Sequence, residues 1–286
     1  MLSEIERFVN WMRRRNPEAR TWRDYGYDLK QFTACVGDRP PGSITLHDVD
    51  RFVTQQANRG FKPATINRRL AAIMSFYAFH SDEDPNLICP VLPRRHNLKQ
   101  PQRLPRPVPE ADLARFFAEI DNPRDLAIFT LMLRCGLRIG EVAQLQLSDL
   151  YLAEDFPRLV VQGKGSRQRA VYLSPQAEQA LRAYLAVRPR ATCECVFLSY
   201  QLAGLTTKSI HMRLVRYRQR AGVHFTAHQF RHSFANDLID ADVPVTTVQK
   251  LLGHTWLETT QAYVTANDRK VQDDFYAACR KLEGWQ

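Results

Sequence analysis

No uninterrupted apolar run in this 286-residue chain is long enough to cross a bilayer, so no membrane-spanning helix is expected. The opening segment, MLSEIERFVNWMRRRN, begins with acidic residues and lacks the short apolar core of a secretion signal. Export is therefore not expected, and the cytoplasm is the expected location. No G-x-x-x-x-G-K-[ST] segment is present, which argues against a nucleotide-driven motor. The six cysteines, Cys35, Cys89, Cys135, Cys193, Cys195 and Cys279, show no C-x-x-C spacing and no nearby His pair, so reduced structural thiols are expected in place of a zinc site. Carboxylates are scattered and not grouped as a two-metal nuclease requires, and no metal site is expected. Internal repeats are also absent.

What is present is a folded composition, with 44% hydrophobic and 24% charged residues, at a length that favours two domains with separate cores. Forty Lys and Arg against 30 acids give a formal charge of +10, which attracts a polyanion at long range. Nucleic acid is the natural candidate, with a merely soluble basic protein as the alternative reading of the charge.

Residues 1–84 read as four amphipathic helices around one core. Ser3 and Glu6 have capping-box spacing before Ile5, Phe8, Val9 and Met12. Trp22, Tyr25, Leu29, Phe32 and Val36 recur on one face up to Gly37, Thr45 opens a third helix, and Pro63 suits the first turn of a fourth. The fourth, KPATINRRLAAIMSFYAFH, buries Ile66, Leu70, Ile73, Met74 and Tyr77 and gathers Asn67, Arg68 and Arg69 elsewhere. Placed in a major groove, those three and Lys62 would contact base edges and phosphates; in solvent they would form an ordinary charged face. Residues 85–109 carry repeated prolines with Arg94, Arg95, Lys99, Arg103 and Arg106 between them, which predicts an extended basic linker that crosses phosphates. From 110 to 286 helices dominate. They are interrupted by a hairpin over RLVVQGKGSRQRAVYL, with Lys164 in its turn, and by an expected strand at VFLS. The fold class is thus mainly α with a small antiparallel β-sheet: a helical N-terminal domain and a mixed α+β second domain.

Six residues are out of place in an apolar core: Arg138, Lys164, His228, Arg231, His254 and Tyr263. Singly each has a plain structural explanation, a helix-dipole partner at Arg138, a solvated hairpin lysine, a helix-capping His228, a half-buried Tyr263. Together they are hydrogen-bonding or cationic groups with one nucleophile. Two guanidinium forks can hold the non-bridging oxygens of a phosphate while charge builds on them. That describes a phosphoryl-transfer site that works without a metal.

In that order these segments resemble the tyrosine recombinases, the phage integrase family, over nearly the whole chain. TINRRLAAIMSFYAFH resembles the last helix of the family's core-binding domain, which has a SAM-like fold. CGLRIGEVAQLQLSDL is similar to its first box, GKGSRQRAVYL to its lysine hairpin, HQFRHSFANDLID to its His-x-x-Arg box and LLGHTWLETTQAYV to its Gly-His and Tyr segment. The resemblance implies that Arg138 and Arg231 clamp the phosphate and that Lys164 protonates the departing 5′ oxygen. By the same resemblance His228 accepts or relays the Tyr263 proton, His254 bonds a phosphate oxygen, and Glu141 supports the site without reacting. It implies a 3′-phosphotyrosyl intermediate, strand exchange through a Holliday junction, and no cofactor. It further implies a C-shaped clamp on double-stranded DNA with inverted-repeat core sites. The assembly would be a homo-tetramer joined by the C-terminal tail, with a second recombinase or a DNA-bending protein as additional partners. In the tail, Val271, Phe275, Tyr276 and Cys279 have helical spacing and are expected to dock in trans, with a cis helix as the alternative. With no further arm-binding domain expected, simple core sites are favoured, and DNA binding would place the protein on the nucleoid. Phe230, where the family often has Leu, and Trp256 and Leu257, where it has small polar residues, depart from the pattern. A type IB topoisomerase-like relaxase and a DNA-binding member with a relict site remain the competing readings.

Overall fold

A computed structural model describes residues 1–17, 19–100, 107–162, 168–253 and 268–283. The chain forms two compact units, Met1–Arg103 and Leu104–Gln286. Each has its own hydrophobic core.

In the first unit, α1 (Leu2–Arg15), α2 (Thr21–Val36), α3 (Leu46–Asn58) and α4 (Pro63–Ser81) enclose Phe8, Leu29, Phe32, Phe52, Ile73, Phe76 and Tyr77. Thr45 caps α3 in a reciprocal box with Asp48, and Pro63 occupies the first turn of α4, where its missing N–H costs nothing. The Ser3–Glu6 box expected for α1 does not form, because the helix already begins at Leu2 and the Ser3 hydroxyl donates to Glu4.

The expected extended linker is partly folded. A single helical turn, α5 (Pro93–His96), follows α4, and Val91 and His96 are buried against the first core. Its anchor is Asn67, whose side-chain amide donates to the Leu98 carbonyl at 2.9 Å and accepts from the Leu98 N–H at 2.9 Å. At the far end Val108 is buried in the second core and its N–H donates to the Ser233 hydroxyl.

The second unit contains α6 (Glu110–Ala118), α7 (Pro123–Arg134), α8 (Ile139–Gln144), α9 (Pro175–Val187), α10 (Thr207–Ala221), α11 (Ala227–Asp240), α12 (Val245–Leu252) and α13 (Asp268–Glu283). Its sheet is β1 (Leu150–Tyr151), β2 (Arg158–Gln162) and β3 (Gln168–Tyr172), antiparallel in that order, with Leu159 opposite Val171 and Val161 opposite Arg169. The strand expected at VFLS is reduced to isolated bridges, Gln146 with Cys195 and Leu198 with Gly204. An aromatic cluster of Phe116, Phe129, Phe225 and Phe230 fills the core in edge-on and tilted contacts 5.1–6.1 Å apart. Buried Asp125 is compensated by Arg124 Nε at 3.0 Å, Arg213 Nη1 at 2.9 Å and the Tyr217 hydroxyl at 3.0 Å. No described helix is long and apolar enough to cross a membrane.

In the single chain the C-terminal helix takes the cis position that was the alternative to trans docking. Phe275, Ala278 and Cys279 of α13 pack in cis on Tyr172, Phe234, Leu238, Val248 and Leu251, where α11 and α12 leave an apolar gap. Thr247 fixes the same helix through a 3.0 Å hydrogen bond to Asp274. Phe275 is fully buried, so Phe275→Ala is expected to cost about 3 kcal/mol in urea denaturation. The wild-type midpoint should not change with protein concentration, since cis packing is unimolecular. A midpoint that climbs with concentration would show that the helix is seated on another copy.

Candidate active site

The site is built where α7 ends. Cys135 closes α7, and Gly136 turns the chain with φ +64°. A Cβ at Gly136 would lie 2.4 Å from Phe234 Cδ1, so glycine is required for both conformation and space. The turn delivers Arg138 to the start of α8. Its N–H donates to Glu141 Oε2 at 2.8 Å and its Nη1 to Glu141 Oε1 at 2.9 Å. The Arg138 side chain is still 40% exposed.

Glu141 is 7% exposed and lies between two arginines. Arg169, on β3, donates Nη1 to Oε1 at 2.6 Å and Nη2 to Oε2 at 3.0 Å, a bidentate fork. Burial acts to raise the Glu141 pKa, but the Arg169 hydrogen bonds and charge, joined by the Arg138 N–H and guanidinium, hold the carboxyl below its usual range.

Arg231, on α11, is 2% exposed. Its Nη1 donates to the Gly136 carbonyl at 2.7 Å and its Nη2 to the Leu252 carbonyl, while Nε has no partner among the described residues. Burial, with the charges of Arg138 and Arg169, pushes its pKa down to about 9, which leaves it cationic at neutral pH. His228 lies on the first turn of the same helix, its ring 4.5 Å from that of His232. Desolvation, then His232, Arg231 and Arg138, lower its pKa, so the imidazole is neutral at pH 7 and able to accept a proton. Thr226 and Gln229 cap α11, so His228 is not its capping group.

The last turn of α12 closes the arrangement. Arg169 Nε donates to the Leu251 carbonyl at 3.2 Å and Arg231 holds that of Leu252. Gly253 follows with φ +62°, and a Cβ there would strike Arg169 Cδ at 2.8 Å. The structure thus brings Arg138, Glu141, His228 and Arg231 into one electrostatically coupled group and adds Arg169, which sequence reasoning missed. Its signal was the two-residue alternation of β3, which places Arg169 on the same face as buried Val171. Lys164, His254 and Tyr263, together with Trp256 and Leu257, lie outside the described residues.

The proposed DNA-reading residues fare unevenly. Arg69 is 3% exposed, stacked over Phe61 and hydrogen-bonded to Gln56, so it cannot reach a base, and α4 uses it inside the core. The Asn67 amide is likewise engaged, through its two hydrogen bonds to Leu98. Lys62 and Arg94 are exposed. Arg68 is paired with Asp28 and Arg95 with Asp50, both with guanidiniums about half exposed. Arg103 and Arg106 lie outside the described residues.

Comparison with known proteins places these features in context. The phage integrase family model matches residues 108–270, and the N-terminal SAM-like domain of phage integrases matches residues 5–84. A tyrosine recombinase XerC of Chromohalobacter salexigens is 31% identical over 260 residues, covering 86% of this chain and 85% of the relative. A tyrosine recombinase XerA of Pyrococcus horikoshii is 27% identical, covering 94% and 91%. Among solved structures, a lambda integrase dimer bound to a COC′ core site aligns with a TM-score of 0.71 at 17% identity, covering 91% of this chain and 98% of that one. A XerH site-specific recombinase bound to palindromic difH substrate in a post-cleavage complex aligns at 0.69 and 20% identity, covering 96% and 83%. These structural likenesses establish the fold.

Glu141 offers a direct test. Its folded pKa lies below the unfolded value of about 4.3. The stability it contributes is therefore complete above that value and is lost as pH falls through the folded pKa. Glu141→Gln, which leaves Arg138 and Arg169 facing each other, is expected to lower unfolding stability by about 3 kcal/mol at pH 7. The gap should narrow below pH ~4, where wild type also loses the charge; a gap constant from pH 7 to pH 3 would rule the ion pairs out as its source.

Proposed function

The chain belongs to the phage integrase family, and on that premise we propose that it is a site-specific DNA recombinase acting through Tyr263. The observation that carries the reading is the buried Arg231, tied by two donors to backbone carbonyls, its Nε without a partner among the described residues and its charge close to that of Arg138. Burying a guanidinium is costly unless it is paired, and three guanidiniums around one carboxylate leave an excess of positive charge. A phosphate diester supplies the missing anion.

In the proposed reaction the Tyr263 oxygen attacks a DNA phosphorus, forming a 3′-phosphotyrosine and releasing a 5′ hydroxyl. His228, neutral at pH 7, takes up the phenol proton. Arg138 and Arg231 hold the non-bridging oxygens as charge accumulates, Lys164 protonates the leaving 5′ oxygen and His254 bonds the phosphate. Glu141 and Arg169 position the arginines. One phosphoester replaces another, so religation needs no external energy, and a 5′ hydroxyl from a second duplex completes the exchange. The substrate is double-stranded DNA with paired core sites, bound in the cytoplasm by a homo-tetramer. Lys62, Arg68, Arg94, Arg95, Arg103 and Arg106 contact phosphates, and the domain plan is a core-binding domain ahead of a catalytic domain.

Immunoprecipitation of Tyr263→Phe protein from its native cell, followed by sequencing of the bound DNA, supplies the site. On that site wild type is expected to form a denaturant-resistant protein–DNA adduct, Tyr263→Phe none, and Arg231→Ala about a hundredfold less. Junctions between two copies of the site distinguish recombination from relaxation. An adduct that persists in Tyr263→Phe would remove the proposed nucleophile.

A further inference from the structure

Cys193 and Cys195 lie outside the candidate active site, and the backbone around them is held firmly. Arg188, at the end of α9, donates to the carbonyls of Cys193 at 2.9 Å, Cys195 at 2.7 Å and Val196 at 3.0 Å. On the other edge the Leu147 N–H donates to the Glu194 carbonyl and the Val196 N–H to that of Leu145, both at 2.8 Å. Within this frame the Cys195 N–H donates to Cys193 Sγ at 3.3 Å. Gly204 faces both sulfurs: a Cβ there would lie 2.5 Å from Cys195 Sγ and 4.0 Å from Cys193 Sγ. The two thiols therefore crowd over one α-carbon that has no side chain to separate them. Both are partly exposed, and Thr192 and Glu194 beside them are exposed.

We infer that Cys193 and Cys195 form a hydroperoxide-reactive dithiol, in which Cys193 is oxidised and Cys195 converts the product into a disulfide. The two sulfurs are electrostatically unequal. The Cys195 thiol, the Cys195 N–H, the Gly204 N–H and the Arg188 charge hold the Cys193 thiol below its usual pKa against the opposing effect of burial. Cys195 is raised, first by the Cys193 sulfur beside it and then by burial. Cys35 and Cys89 are raised by burial, which makes them internal controls. The thiol with the lowered pKa supplies more of the attacking thiolate, and a second thiol beside it can resolve the product. Among the described residues no third His, Cys, Asp or Glu completes a metal site.

The chemistry balances. The Cys193 thiolate attacks one oxygen of the hydroperoxide; an S–O bond forms, the O–O bond breaks, and the departing alkoxide or hydroxide takes a proton from water. Cys195 sulfur then attacks the sulfenic acid; the S–S bond forms, the S–O bond breaks, and water leaves carrying the Cys195 proton. Two thiols are oxidised and one peroxide is reduced. A disulfide between residues two apart closes a small ring, which makes it readily reducible by thiols.

The test uses the full chain, reduced, exposed to hydrogen peroxide at neutral pH, alkylated and mapped by mass spectrometry. The peptide containing Cys193 and Cys195 is expected to lose two hydrogens before any other cysteine reacts, and to regain them with dithiothreitol. Without peroxide, iodoacetamide should label Cys193 severalfold faster than Cys89 at pH 7, because the thiol held below its usual pKa carries more of the reactive thiolate than the one raised by burial. In Cys195→Ser the sulfenic acid should persist and be trapped at Cys193 by dimedone. Labelling of Cys193 no faster than Cys89, or peroxide treatment that leaves both thiols free in wild type, would overturn the inference. Neither result bears on DNA cleavage, so this site and the recombinase reading stand or fall separately.

Discussion

One buried carboxylate makes the cationic site possible. Glu141 accepts four hydrogen bonds on two oxygens, two from Arg138 and two from Arg169. An isolated carboxylate buried to this degree would be costly, and two neighbouring guanidiniums without it would repel each other. Joined, they fix the start of α8 against β3 and leave part of the Arg138 side chain open. The third guanidinium, on Arg231, is held by backbone carbonyls, so its position does not compete for the same acid. Strand, helix start and helix interior thus meet at a point none of them could stabilise alone.

Helix α11 connects that charge to the packing. Phe230 enters the aromatic cluster with Phe116, Phe129 and Phe225, while Phe234 and Leu238 enter the second apolar cluster beneath α13. Arg231 emerges between the two. Rotation of the helix would have to displace apolar contacts on both sides, and close-packed interiors resist such shifts. The phenylalanine at 230, where Leu is common in the family, is accounted for by its ring contacts with Phe116, Phe117, Phe129 and Phe225. The same helix therefore sets the depth of Arg231 and the rim position of His228 from one set of hydrophobic contacts.

Much of this was legible in the sequence because the signals were local. Helical periodicity, the Thr45 cap, Pro63 and the Gly136 turn each specify their own few residues, and the order of the boxes identified Arg138, Glu141, His228 and Arg231. What escaped required tertiary information. Arg69 looked like part of a charged face because Asn67 and Arg68 flank it, yet Phe61, Gln56 and Asp28 give it partners inside the core. Asn67 found its partner at Leu98, 31 residues away, which also explains why a proline-rich stretch folds back where an extended linker was expected. Arg169 was hidden for the opposite reason: a hairpin arginine reads as solvated until Glu141 and Leu251 are seen beside it. The cis seat of α13 depended on a gap that the distant Tyr172 and Phe234 create together.

The arginines also control where the next segment begins. The last carbonyls of a helix lack intrahelical partners and carry the negative end of its dipole. In α12 those of Leu251 and Leu252 are capped by Arg169 and Arg231, and Gly253 then turns the chain directly before His254. Arg231 gives one N–H of Nη1 and one of Nη2 to backbone carbonyls, and its Nε has no partner among the described residues, so N–H donors remain for a bound phosphate. The cap need not break for the anion to bind. Binding an anion and holding the end of α12 are therefore compatible demands on one guanidinium, and added negative charge would relieve the repulsion among Arg138, Arg169 and Arg231.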